Sequence, residues 1–287
     1  MIEPRSPVKW IGGKSAAASR IIAAFPPPNS YSLYVEPCGG AAHVLLAKPR
    51  HHHKEVYNDL DNLLVNFWQE VQSNGREVCA RLQSLIYARK LYYDFYHSLY
   101  GAKSKGLMPD ATLSSTEKAV RWLYILRSNM TGFLRDSACG WNYANAETLV
   151  HAADLIEAVQ QRLQRVAIDN RTAIATIKRY EKAPVTKFFY IDPPYVEAEH
   201  YYPASRDGFD HEGLAAILQT VKSPVAVSYY PHPLLDQLYP ATKWRRLTWK
   251  QPKLSNAYEN RENLEMATEL LLMNYPAPSG GLWEGEQ

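Results

Sequence analysis

The tetrapeptide Asp192-Pro193-Pro194-Tyr195 follows the apolar run Phe188-Phe189-Tyr190-Ile191 directly. Two consecutive prolines fix φ and remove two backbone donors. The loop is therefore rigid and offers acceptors, namely the Asp192 carboxylate and the Pro193 carbonyl. A primary aromatic amine has two N–H donors, so two fixed acceptors can hold it and turn its lone pair toward an electrophile. Tyr195 adds a ring on which a planar base can stack. The plainer reading of the same residues is a stiff turn with an exposed tyrosine.

Two further clusters carry weaker signals. Glu36-Pro37-Cys38-Gly39-Gly40 ends the β-rich run Tyr31 to Glu36, and glycines there let backbone approach a nucleotide-like ligand. Asp59 sits at the end of the next apolar run, where an acid can accept ribose hydroxyls or, more simply, cap a helix. Near the N-terminus, Lys9, Trp10, Gly12, Gly13 and Lys14 form a basic, aromatic, glycine-containing loop before a helix. Such a loop suits an anionic group such as a carboxylate; an N-terminal arm with a capping glycine pair is the alternative.

The elements that must position these residues alternate. Strands are expected at Tyr31 to Glu36, Glu55 to Tyr57, Val166 to Ile168, Lys187 to Ile191, Pro224 to Tyr229, Trp244 to Trp249 and Glu269 to Tyr275. Helices are expected at Ala41 to Ala47, Asp61 to Val71, His151 to Arg165, Thr172 to Tyr180 and His211 to Thr220. This alternation implies an α/β fold with a mostly parallel sheet covered on both faces. From about Arg76 to Trp141 strand signals fade. Arg76 to Leu99 and Ser115 to Arg127 read as helices, and Ser128 to Tyr143 as a hairpin or loop. The expected organisation is a catalytic domain over 1–72 and 146–276, a helical insert over 73–145, and a disordered Pro/Gly-rich tail over 277–287.

Bulk properties set outer limits. The chain has 287 residues, 46% apolar and 21% charged, with a formal net charge of +3. No apolar run approaches the ~20 residues of a membrane span, and no signal-type apolar core follows the N-terminal basic residues. The three cysteines, Cys38, Cys79 and Cys139, are scattered and have no ligand spacing. Neither a disulfide framework nor a metal site is expected, and a reducing cytoplasm follows. Lys243, Arg245, Arg246, Lys250 and Lys253 are interleaved with Trp244 and Trp249, which suits either phosphate binding or a basic strand edge. His51 to His53 read as a solvated loop.

Together and in this order, the motifs resemble the Dam-like (D12 class) DNA adenine methyltransferases, from Pro7 to Tyr275. Lys9, Trp10, Gly12, Gly13 and Lys14 match the family's N-terminal element. Glu36 to Gly40, Asn58-Asp59, Asp192 to Tyr195 and Thr268-Glu269 with the apolar run to Tyr275 match its later ones. The resemblance implies a Rossmann-like methyltransferase sheet, mostly parallel with one antiparallel edge strand, and an inserted helical target-recognition subdomain in the α-group motif order. It implies S-adenosylmethionine at Trp10, Lys14, Glu36, Pro37, Cys38, Gly39, Gly40, Asp59, Asp169, Asn170 and Asp192. It also implies catalysis by Asp192, Pro193, Pro194 and Tyr195, and double-stranded DNA read by a hairpin region holding Arg127, Asn129, Thr131, Gly132 and Arg135. Arg135 can contact guanine bidentately. Cys38, Ala42 and Thr172 depart from the family's usual aromatic, glycine and aspartate. Met130 and Thr131 depart from the Dam hairpin.

The expected activity is site-specific methyl transfer to the N6 amine of a flipped-out adenine, by a cytoplasmic monomer or weak dimer without metal or membrane attachment. A bacterial, prophage or phage origin and a restriction-modification role are compatible with it. The same scaffold acting on cytosine N4, RNA or a protein amide stays open, as does an inactive DNA-binding homologue. A nucleotide-dependent oxidoreductase is disfavoured, because a full Gly-x-Gly-x-x-Gly is missing.

Overall fold

The computed structural model describes residues 3–102, 106–129, 139, 146–205, 208–252 and 266–276. Seven strands, β1 (Leu33–Glu36), β2 (Lys54–Asn58), β3 (Val166–Asp169), β4 (Lys187–Ile191), β5 (Val225–Tyr229), β6 (Arg245–Pro252) and β7 (Met266–Met273), make one sheet. Their order is β3-β2-β1-β4-β5-β7-β6. β1 pairs in parallel with β2 and β4, and β4 with β5. β7 runs antiparallel to both β5 and β6, so a β6–β7 hairpin closes that edge. This is the mostly parallel sheet with an antiparallel edge element that the alternation and the resemblance lead one to expect.

By contacts the chain divides into two compact units, one of residues 1–13 and 61–168, the other of 14–60 and 169–287. By contacts the segments 61–72 and 146–168 group with the helices of the first unit. The hairpin region 130–138 and 140–145, with Thr131, Gly132 and Arg135, lies outside the described residues, as do Lys253 and 277–287.

In the second unit the strands are buried on both faces, which accounts for their near-continuous apolar runs. Period-2 alternation sends Leu33, Val35, Phe189, Ile191, Val225 and Val227 to one side. There they pack with Ile177 of α7 (Ala173–Glu181), Leu214 and Leu218 of α8 (His211–Thr220) and Leu235 of α9 (Pro233–Leu238). Tyr34, Phe188 and Tyr190 take the other side, where Phe25, just beyond α1 (Ala18–Ala23), meets all three rings with centroids 4.6–5.9 Å apart. Trp244 and Trp249 are buried, and Arg246 is committed to Asp236 and to the Tyr239 carbonyl. The β6 segment is therefore strand core with a basic flank, not an aromatic-studded phosphate surface.

The first unit is helical. α3 (Asn62–Ser84) is continuous where two helices are expected, and the intended break survives as a kink at Asn74. Asp61 caps α3, accepting from Leu63 N at 2.9 Å and Leu64 N at 3.0 Å. Gln72 of α3 donates to the Leu163 and Val166 carbonyls at the end of α6 (Ala146–Leu163). α4 (Arg89–Tyr100) and α5 (Ser115–Ser128) follow, the latter opened by a Ser114/Glu117 capping box. Trp122 of α5 packs with Phe67 of α3 and with Trp10.

His53 is not solvated. Its ring lies 4.7 Å from Tyr31, and its Nε2 accepts from Lys48 Nζ at 2.6 Å. Lys48 also pairs with Glu55 Oε1 at 2.8 Å, with both side chains nearly inaccessible. A buried pair gains little over apolar packing, but losing one partner strands the other. Glu55→Gln is expected to cost about 3 kcal/mol, measured as a fall in Tm or in the urea midpoint.

Candidate active site

The carboxyl ends of the parallel strands are where an open α/β sheet binds its ligand. β1 and β4 end there on Glu36 and Ile191, and the following turns hold two of the three sequence motifs. Ion pairing and burial bring residues from distant parts of the chain to the Asp192 turn.

Lys14 and Asp192 form a 3.0 Å ion pair, with Lys14 4% exposed and Asp192 20%. The same ammonium lies 4.7 Å from the centre of the Tyr195 ring. Burial pushes the Asp192 carboxyl above the usual carboxylate range, while the Lys14 ammonium beside it opposes the rise. The prolines leave the loop without two of its own amide donors, so an external cation has to balance the acid. The basic N-terminal loop expected to meet an anion thus meets one from the protein itself.

Tyr195 is 4% exposed, not the open ring the sequence suggests. Its hydroxyl donates to Glu269 Oε2 at 2.9 Å. Tyr230 packs edge-on at 4.5 Å, and Tyr229 lies at 5.7 Å. The reading of the turn as one with an exposed tyrosine is excluded for the same reason.

The turn from β1 into α2 (His43–Ala47) is tight. Gly40 has φ 48°, and Ala42 has φ 55° and ψ 24°, a left-handed conformation that glycine adopts without penalty. This gives the physical reason why glycine suits position 42 and why alanine there carries strain. Gly39 leaves no room for a side chain, since an added Cβ would sit 2.2 Å from the Tyr57 ring. Tyr57 in turn donates to the Gly40 carbonyl at 2.7 Å. Asp59 Oδ2 accepts from Gly40 N at 2.9 Å, and Asp61 rather than Asp59 caps α3. Burial pushes the Cys38 thiol well up, with Asp59 and Asp192 adding to the rise, so all three share one neighbourhood.

Supporting contacts tie this turn to the one after β3. Asn58 Nδ2 donates to the Pro37 carbonyl at 2.7 Å and the Arg171 carbonyl at 2.9 Å, and its Oδ1 accepts from Arg171 N. Asn170 Nδ2 donates to the Asp59 carbonyl at 2.8 Å. The Arg171 Nε meets both Asp169 oxygens, at 3.1 and 3.0 Å. Glu36 is buried, and the Tyr34 hydroxyl donates to its Oε1.

The structure therefore groups Lys14, Glu36 to Gly40, Asp59, Asp169, Asn170 and Asp192 to Tyr195 within one unit. Trp10 belongs to the helical unit, where its ring is 6.2 Å from that of Trp122. Arg127 lies in the last turn of α5, and Asn129, which caps that helix, is buried with a backbone bridge to Cys139. Sequence reasoning passed over Tyr34, Tyr57, Glu269 and Arg171 as site residues. A polar residue inside an apolar strand, as Glu269 is inside Met266–Met273, was the signal for one of them.

The sheet, parallel but for one reversed strand, with an acidic acceptor turn at its carboxyl edge, is of the α/β class. The model of the D12 class N6 adenine-specific DNA methyltransferases matches residues 10–252, and the chain belongs to that family. Two solved structures of the rRNA methyltransferase aviRa from Streptomyces viridochromogenes are similar at 12% and 14% identity. Each similarity covers 91% of this chain and 83% of the other, with a TM-score of 0.38.

Gly39→Ala is expected to displace Tyr57 or the turn and to cost about 1–3 kcal/mol. Thermal unfolding reads that loss.

Proposed function

We propose that the protein transfers a methyl group from S-adenosylmethionine to the exocyclic N6 amine of an adenine in double-stranded DNA. Family membership supports adenine and DNA. The observation that carries the reading is the Asp192 carboxylate, largely withdrawn from water beside a proline-fixed carbonyl and balanced by Lys14.

The residues present fit the cofactor. Gly39 packs against the Tyr57 ring with no room for a side chain of its own, Gly40 takes a positive φ, and Asp59 and Cys38 stand beside this turn. Glu36, Pro37, Cys38, Gly39, Gly40, Asp59, Asp169 and Asn170 would hold S-adenosylmethionine, with Lys14, Trp10 and Asp192 also assigned to it. The bound sulfonium supplies an electrophilic methyl group. The protein's own work is alignment. An adenine inside a duplex is out of reach, so the base is flipped out. Asp192 and the Pro193 carbonyl accept the two N6 hydrogens and localise the lone pair. The Asp192 charge stabilises the positive charge that develops on nitrogen. For the base to stack on Tyr195, the groups covering that ring, Lys14 among them, must draw back. Arg127, Thr131 and Arg135 are the proposed DNA contacts, by phosphates and base edges.

The test is methyl transfer from labelled S-adenosylmethionine into unmethylated genomic DNA, with nucleoside analysis of the digest. Label in 6-methyladenine is expected; label in 4-methylcytosine, or none in DNA, refutes the substrate. Asp192→Asn should lower turnover about 10²-fold or more while the fold persists in circular dichroism. Turnover of the native protein should also fall as pH drops toward the raised Asp192 pKa, because protonation removes an acceptor. A folded-state pKa above the unfolded value means that acid favours the folded form of this group. The acid loss is therefore expected without unfolding at Asp192, which a pH–rate profile run beside a pH–Tm profile distinguishes.

A further inference from the structure

The place of the target amine is filled by the protein itself. An aromatic amine bound at the Asp-Pro-Pro-Tyr loop has two contacts to make, a carboxylate for its N–H groups and a ring to lie on. The Lys14 ammonium makes both. It stands 3.0 Å from Asp192 Oδ1 and 4.7 Å from the centre of the Tyr195 ring, over its face. Lys14 and Tyr195 are each buried, so neither is open to an incoming base. Close packing makes the two occupants exclusive. A base enters when the ammonium leaves, and a buried ammonium that leaves one anion needs another.

The surroundings narrow the choice of that anion. The helix that follows Lys14, α1, packs against α2. His43, the first residue of α2, has its imidazole pushed down to about 4, by burial first and by the Lys14 charge second. The ammonium is thus within reach of the turn from β1 into α2 as well as of the Asp192 loop. The acids around it are already engaged. Glu269 accepts from Gln251 and Tyr195, Asp59 from the Gly40 amide and Glu36 from the Tyr34 hydroxyl. The cofactor assigned to this turn brings a carboxylate of its own. Two cations pair with residues assigned to it. Arg171 is half-exposed and gives its Nε to both oxygens of Asp169, whereas Lys14 is buried beside the turn.

We propose that Lys14 holds the place of the target amine in the ligand-free protein and passes to the cofactor's carboxylate, so that the base enters only after the cofactor has bound. The inference rests on the functional reading above and adds an order of binding to it. Once Lys14 has moved, Asp192 lacks its counter-charge, and the two N6 hydrogens supply the donors it then needs. By linkage the carboxylate and the base strengthen each other's binding.

The experiment measures the Kd of the full-length protein for a duplex carrying the sequence methylated in the test above. It is measured alone, with saturating S-adenosylhomocysteine, and with the decarboxylated form of that molecule, which keeps its thioether and ammonium. S-adenosylhomocysteine is expected to tighten duplex binding about 10-fold, and the decarboxylated form to leave it unchanged. In K14M, which keeps the length of the side chain without its charge, the two ligands should act alike. K14R should restore the difference between them. Equal tightening by both ligands in the native protein overturns the place-holder, whether or not K14M folds, and so does a native-sized difference in K14M. If the native protein transfers no methyl group to DNA, the functional reading itself has failed; methyl transfer with coupling that ignores the carboxylate fails the place-holder alone.

Discussion

A carboxylate moved out of water must be compensated, and the Asp-Pro-Pro-Tyr loop has given up the amides that could do it locally. Lys14, 178 positions earlier in the chain, supplies the compensation at 3.0 Å. The same ammonium lies over the Tyr195 ring, and Tyr195 is held at its far end by Glu269 from the reversed strand. A rigid acceptor turn therefore depends on groups from three separate stretches of sequence. It exists only once the sheet has brought residue 14, the β4 end and β7 together.

Around that turn the labour is divided between residues that can face a ligand and residues that hold backbone. Asn58 and Asn170 spend side-chain donors on neighbouring carbonyls and so join the turns after β1, β2 and β3. Tyr57 packs against Gly39 and bonds to Gly40, which shapes the turn from outside. Tyr34 occupies one oxygen of Glu36. Buried polar groups of this kind cost free energy when half satisfied and rigidify the site when complete.

The motifs were legible because their chemistry is local. A double proline after an apolar strand and a glycine turn after another state their geometry within a few residues. Family membership over residues 10–252 agrees with the order in which they come. The strands were legible for a related reason: double-sided burial leaves unbroken apolar runs. Boundaries were less so. α3 runs through Asn74 because its packing, including Gln72 against the end of α6, outweighs a weak local break.

The sequence by itself determined which residues carry chemistry, their order and the α/β character of the sheet. These follow from side-chain type, proline and glycine constraints and hydrophobic period. Only the tertiary structure decided which partner each charged or polar group found. Lys14 pairs with Asp192, Asp59 serves the Gly40 amide while Asp61 caps the helix, His53 is buried with Lys48 and Glu55, and Glu269 reaches Tyr195. The physical reason is range. Backbone preference acts over a few residues, whereas charge compensation and burial depend on distances that the folded sheet alone defines.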